Sequence, residues 1–141
     1  MLSDMSISGG CLCKAVRYSI SAAPIVTRAC WCRVCQYLGA GSNTVNVCFP
    51  SDAVTVTGEL HDYPMLADSG NRMHRRFCPT CGTSLFTSSE ARPKLIFVRA
   101  GSLDDRELAN PAMTIWTASA PSWACFDEHI PKVERQPPPL A

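Results

Sequence analysis

Residues 77–83 read FCPTCGT and residues 9–13 read GGCLC. In the first stretch Cys78 and Cys81 are separated by two residues and followed by Gly82, a composition that favours a tight knuckle with both sulfurs on one side. In the second, Cys11 and Cys13 alternate along an extended segment, where residues two apart share a face. The two pairs supply four thiolates, the number that closes a tetrahedral structural zinc site. Joining them closes a loop of 64 residues between Cys13 and Cys78, at a cost of about 3.7 kcal/mol on logarithmic loop-entropy scaling. Structural zinc binding, about 10–16 kcal/mol in small peptides, exceeds that cost several-fold. The pattern predicts a metal staple that ties the start of the chain to its middle.

A third cluster lies between them. Residues 30–35, CWCRVC, place Cys30, Cys32 and Cys35 in one short loop. Cys30 and Cys32 share a face in extended backbone, and Cys32 and Cys35 form a second CxxC turn. One ion can take all three sulfurs and keep a fourth position for water or substrate, the arrangement of catalytic zinc sites. Three thiolates around a doubly positive ion leave the centre anionic, which suits ionising a bound thiol better than activating water. Two other readings stay open: a second structural zinc completed by a histidine or Cys48, and three redox-active thiols without metal.

The rest of the chain sets the frame. Its 141 residues suit a single domain, with a core over about residues 9–131 and a proline-rich tail over 132–141. An apolar fraction of 46% with 18% charged residues is that of a chain able to bury a core. A net charge of +1 gives no basic field, so nucleic acid is not expected as a partner. No apolar run approaches a membrane span, and the opening residues MLSDMSISGG lack the basic and apolar regions of a secretory signal, so the expected location is the cytoplasm. In that reducing setting nine cysteines, an odd number, argue for metal or catalysis before disulfides.

Strand signals dominate. Val16, Tyr18 and Ile20 alternate with polar residues, as do Val45, Val47 and Phe49, and Val54 and Val56. SLF at 84–86 and KLIFVRAG at 94–101 read as further strands, with glycines and prolines marking frequent turns. Two short helices are predicted, one near VCQYLGA and one at SLDDREL, capped by Ser102. The fold class is mainly β, with small antiparallel sheets and little helix, and exposed sheet edges leave room for a homodimer.

Arg72, His74, Arg75 and Arg76 gather ahead of Cys78. They form either a solvated face paired with local acids or a receptor for ligand carboxylates, for which Arg75 and Arg76 are the candidates. Trp31, between two proposed ligands, is a candidate substrate contact, whereas Trp116 and Trp123 read as core. Cys48 and Cys125 read as buried small apolar residues.

Taken in order, GGCLCKAVRY, CWCRVCQYLGAG, GELHDY, RRFCPTCGTSLF, AGSLDD and PSW resemble the glutathione-dependent formaldehyde-activating enzyme family, which includes centromere protein V, from about Gly9 to Pro131. The resemblance implies a zinc-stapled β-tent with two zinc ions per chain, the occupancy of the second left open. Cys11, Cys13, Cys78 and Cys81 would hold the structural ion, and Cys30, Cys32 and Cys35 the catalytic one. It implies a carbon–sulfur lyase that joins glutathione, or a similar thiol, to formaldehyde or another aldehyde, as in S-(hydroxymethyl)glutathione synthase. The alternative within the same fold is a zinc-stabilised binding module without turnover. Three positions depart from the family pattern: Lys14 where glycine is frequent, Trp31 where histidine is common, and Thr114 near a frequent His-Ile pair.

Overall fold

A computed structural model describes residues 6–139, so the first five residues and the last two of the predicted domain lie outside the described chain. The architecture is mainly β, as expected, but its two sheets are unequal. The smaller joins β1 (Ile7–Gly10), β2 (Arg17–Ile20) and β5 (Val54–Thr57), antiparallel in the order β1-β2-β5. The larger has seven strands: β3 (Val26–Cys30), β4 (Thr44–Pro50), β6 (His61–Leu66), β7 (Arg72–Phe77), β8 (Ser84–Ser89), β9 (Leu95–Arg99) and β10 (Met113–Ile115). Their order is β10-β3-β4-β9-β8-β7-β6, antiparallel except where β10 runs parallel to β3.

The core forms where the alternating apolar positions meet. Val16, just ahead of β2, and Tyr18 and Ile20 on it pack against Val47 and Phe49 of β4, Leu85 and Phe86 of β8 and Val98 of β9. All are buried, and Tyr18 meets Phe86 edge-on at 5.1 Å between ring centres. Each such side chain contributes roughly 1.5–3 kcal/mol of hydrophobic burial. The 3-10 turn after β9 approaches β1 so closely at Gly9 that a Cβ there would stand 2.3 Å from the Ser102 carbonyl oxygen. Glycine is required at that position by space rather than by turn geometry.

Helical content is low. The single α-helix among the described residues, α1 (Arg33–Leu38), starts one residue after Cys32 and stops at Gly39, whose N–H donates to the Cys35 carbonyl at 2.7 Å. The helix expected at SLDDREL resolves into two 3-10 turns, at Ala100–Ser102 and Arg106–Ala109. Asp105, not Ser102, caps the second. The Ser102 hydroxyl is occupied elsewhere, bonded to Tyr18 Oη at 2.7 Å and donating to the Arg99 carbonyl.

The chain after Pro131 bends at residues 134–135 and then runs into three successive prolines at 137–139, which offer no backbone donors, and it is docked. Val133 N–H donates to the Thr114 carbonyl at 3.0 Å, Thr114 N–H donates to the Pro131 carbonyl at 3.0 Å, and Pro137 is buried. Two burial expectations fail nearby: Trp123 is 66% exposed and Cys125 is exposed. Both lie on an irregular segment between Ser119 and Pro131 that belongs to no strand, so the sheet core does not cover them. Among the described residues no helix is long and apolar enough to cross a membrane.

Candidate functional site

Two cysteine clusters assemble as the spacing predicts. Cys11 and Cys13 occupy the turn after β1, and Cys78 and Cys81 the turn between β7 and β8. Their four sulfurs all lie within 4.8 Å of one another, with Cys11–Cys13 at 3.6 Å and Cys13–Cys78 at 3.8 Å. A tetrahedron of metal–sulfur bonds about 2.3 Å long has edges of about 3.8 Å, so this donor set fits a four-coordinate zinc. Backbone donors support the sulfurs: Val16 N–H reaches Cys11 Sγ at 3.2 Å. A bond with the Thr83 hydroxyl, followed by backbone donors, holds the Cys81 thiol down at about 5. Cys11 and Cys78 are also buried members of the main core. Lys14 closes the first turn with φ +69°, in the left-handed region, and its N–H donates to the Cys11 carbonyl at 3.1 Å. That geometry is the physical reason a glycine suits the position.

The second cluster is built from one short stretch. Cys30 ends β3, Cys32 caps α1 by accepting from the Cys35 N–H at 3.3 Å, and Cys35 sits in the first turn. All three are buried, with sulfurs within 4.8 Å of one another. Such crowding opposes full ionisation. Hydrogen bonds with Cys32 and Cys35, and then burial, push the Cys30 thiol up, whereas bonds with Cys30 and Cys32 hold Cys35 down. A divalent cation would relieve that conflict by neutralising the charge the sulfurs resist sharing. Gln36 braces the loop: its Nε2 donates to the Trp31 carbonyl at 2.8 Å and to the Ser119 carbonyl at 2.9 Å.

The three-cysteine cluster faces a cavity. Cys30, Cys32 and Cys35 contribute to the wall of a 280 Å³ space that also contains Arg28, Asn46, Arg75, Thr87 and Arg99. Strand pairing explains the lining. Arg28 lies opposite Asn46 and Asn46 opposite Arg99, while Arg75 lies opposite Thr87 and Thr87 opposite Phe97. These side chains share one face of the large sheet, and Val47, Val98 and Phe86 share the other, core-facing one. Trp116, Gln136 and Pro137 close another part of the wall. Trp116 is buried against the cysteines with φ +61°, and its Nε1 donates to Gln136 Oε1 at 3.0 Å.

The three candidate substrate contacts separate. Arg75 is buried and lines the cavity, but Arg76, its neighbour on the strand, points to the opposite face and reaches Ser88 Oγ at 3.4 Å. The Trp31 ring is not part of the cavity wall and instead packs edge-on against Trp123 and Phe126. Arg72 and His74 pair with acids, His74 with Asp62 and Glu90 at 2.8 Å each. The sequence reading passed over Arg28, Asn46, Thr87 and Arg99. One signal was available: Arg28 and Cys30 are two residues apart on an extended run, hence on one face.

Residues 6–119 match the family model described as glutathione-dependent formaldehyde-activating enzyme. The chain is similar in fold to a crystal structure of a Rhodobacter sphaeroides protein, with a TM-score of 0.58 and 18% identity, covering 89% of this chain and 99% of that one. No curated protein matches the chain.

Proposed function

The chain belongs to the glutathione-dependent formaldehyde-activating enzyme family, and from that premise we propose that it is a zinc-dependent carbon–sulfur lyase, joining a small thiol such as glutathione to an aldehyde such as formaldehyde. The observation that carries this reading is the division between the clusters: four cysteines supply a full tetrahedral set at the edge of the core, with Cys11 and Cys78 buried and Cys13 exposed, and three line a cavity. Cys11, Cys13, Cys78 and Cys81 would hold a structural zinc, and Cys30, Cys32 and Cys35 a second one. When bound there, zinc supplies an exchangeable coordination position and favours the thiolate form of a substrate thiol.

The chain's own residues do the rest. Cys32 and Gln36 fix the loop that presents the three sulfurs, Ile115 and Trp116 pack over them and limit water, and the polar sheet face receives the remainder of the thiol. The net reaction forms one C–S bond between the thiol sulfur and the aldehyde carbon and passes the thiol proton to the carbonyl oxygen, in either direction. Nine free cysteines suit a reducing compartment, consistent with a cytoplasmic setting.

The test is zinc content of protein purified without chelator, followed by the rate at which glutathione and formaldehyde exchange with S-hydroxymethylglutathione, read by NMR. Two zinc ions per chain and exchange above the spontaneous rate are expected. Two ions with only the spontaneous rate would leave a stapled binding module.

A further inference from the structure

The polar face of the large sheet carries more positive charge than its neighbours balance. Arg75 and Arg99 are 8% and 7% exposed, and among the described residues neither they nor Arg28 form an ion pair with a carboxylate. The acidic side chain in the cavity wall, Asp68, is exposed and accepts from the Arg33 backbone N–H at 3.1 Å. A buried guanidinium without a counter-charge is costly, and two near one another are more so. The three cysteines offset this incompletely: with a doubly positive ion they sum to one negative charge, against three guanidinium groups.

Hydrogen-bond bookkeeping points to the same place. Arg99 is held from behind, its Nε donating to Ser84 Oγ at 3.1 Å and its Nη1 to Asn46 Oδ1 at 2.6 Å, while Nη2 has no partner. Arg28 Nε and Thr87 Oγ1 are likewise buried and unpaired. Three of the four buried side-chain polar atoms without a partner among the described residues therefore belong to this one cavity wall. Buried donors are normally satisfied, so a cluster of unsatisfied ones marks where an acceptor is meant to sit. The planar fork of arginine matches a carboxylate.

We propose that Arg28, Arg99, Arg75 and Thr87 form a carboxylate subsite beside the three-cysteine centre, positioned by Asn46 and Ser84, that selects acidic thiols over neutral ones. The subsite deepens the lyase reading and rests on it only for the nature of the molecule that carries the carboxylate. It assigns the sulfur to one end of the cavity and an anionic group to the sheet face, so a thiol lacking that group loses its second anchor.

The test uses the full, zinc-loaded chain and calorimetric titration with S-methylglutathione, whose sulfur is blocked, and with its dimethyl ester. The diacid is expected to bind at least about 10-fold more tightly than the ester, and Arg99→Gln or Arg28→Gln to remove that preference. Arg76→Gln, on the opposite face, should change binding less than about 2-fold. Arg28→Gln covers the case in which Arg99→Gln fails to fold, and thermal melts identify that case. Equal binding of diacid and ester, or equal weakening by Arg99→Gln and Arg76→Gln, overturns the subsite. A neutral thiol, 2-mercaptoethanol, separates the two readings. If the diacid binds through the arginines while no thiol perturbs the three-cysteine centre, the subsite stands and the lyase reading fails. If thiols perturb that centre while ester and diacid bind alike, the subsite fails alone.

Discussion

The two cysteine clusters use the same ligand chemistry to opposite structural ends. Cys11, Cys13, Cys78 and Cys81 come from two turns far apart in the chain, one beside the small sheet and one in the large, and meet at the edge of the main core, where Cys11 and Cys78 are buried. Cys30, Cys32 and Cys35 come from one short stretch, close no long loop as a ligand set, and face a cavity. A ligand set that closes a long loop stabilises the fold, because the unfolded chain loses the most freedom when its distant parts are tied. A local set changes little of that freedom and is available for chemistry.

The largest test of this contrast is a pair of serine substitutions. Cys81→Ser should abolish cooperative folding, since structural zinc at about 10–16 kcal/mol rivals the whole stability of a domain, about 5–15 kcal/mol. Cys32→Ser should melt cooperatively, because serine still caps α1, and should lack one zinc ion by metal analysis. Equal loss of circular dichroism in the two variants would erase the distinction.

A middle-sized effect comes from Gln36→Ala, which strips the donor from the buried carbonyl of Trp31 and the one at Ser119. It should cost about 1–3 kcal/mol in denaturant unfolding and release metal from the three-cysteine centre at lower chelator concentration, leaving the four-cysteine site loaded. Simultaneous release of both ions would mean the sites are not independent.

The smallest effect concerns Lys14. A left-handed residue with a Cβ costs roughly 1–2 kcal/mol, partly offset by the greater unfolded freedom of glycine. Lys14→Gly should therefore raise stability by about 0.5–1 kcal/mol, measured by chemical denaturation, with zinc content unchanged. A loss of stability would show that the lysine side chain contributes something its turn geometry does not.

How much of this was legible depended on which face of a strand was read. The strands β2, β4 and β5 declared themselves because Val16, Tyr18, Ile20, Val47, Phe49 and Val56 alternate against polar neighbours. β3 and β7 did not, because their cavity-facing positions hold Arg28 and Arg75, where a buried face is expected to be apolar. VTRAC went unread apart from Cys30, and RMHRRF read as a charged cluster, though each is a regular strand. The cysteine clusters were legible because metal geometry acts over short spacings. The arginine wall was not, because Arg28, Arg75 and Arg99 meet only through cross-strand register. A short helix with one capping residue was also beyond reach: Ser102 could cap in isolation, but Tyr18 from the other sheet claims its hydroxyl.

The docked segment after Pro131 has a consequence for biosynthesis. Chain growth delivers the four clustered sulfurs once Cys81 has emerged, and the ten strands of the described residues once Ile115 has emerged. The part of the cavity wall made by Gln136 and Pro137 is still unmade at that point. A ribosome that stalls in the interval leaves a chain with the four clustered sulfurs and its sheets but with the chamber beside Cys30, Cys32 and Cys35 open on one side. The wall beside Cys30, Cys32 and Cys35 is thus finished only after Gln136 and Pro137 have been made.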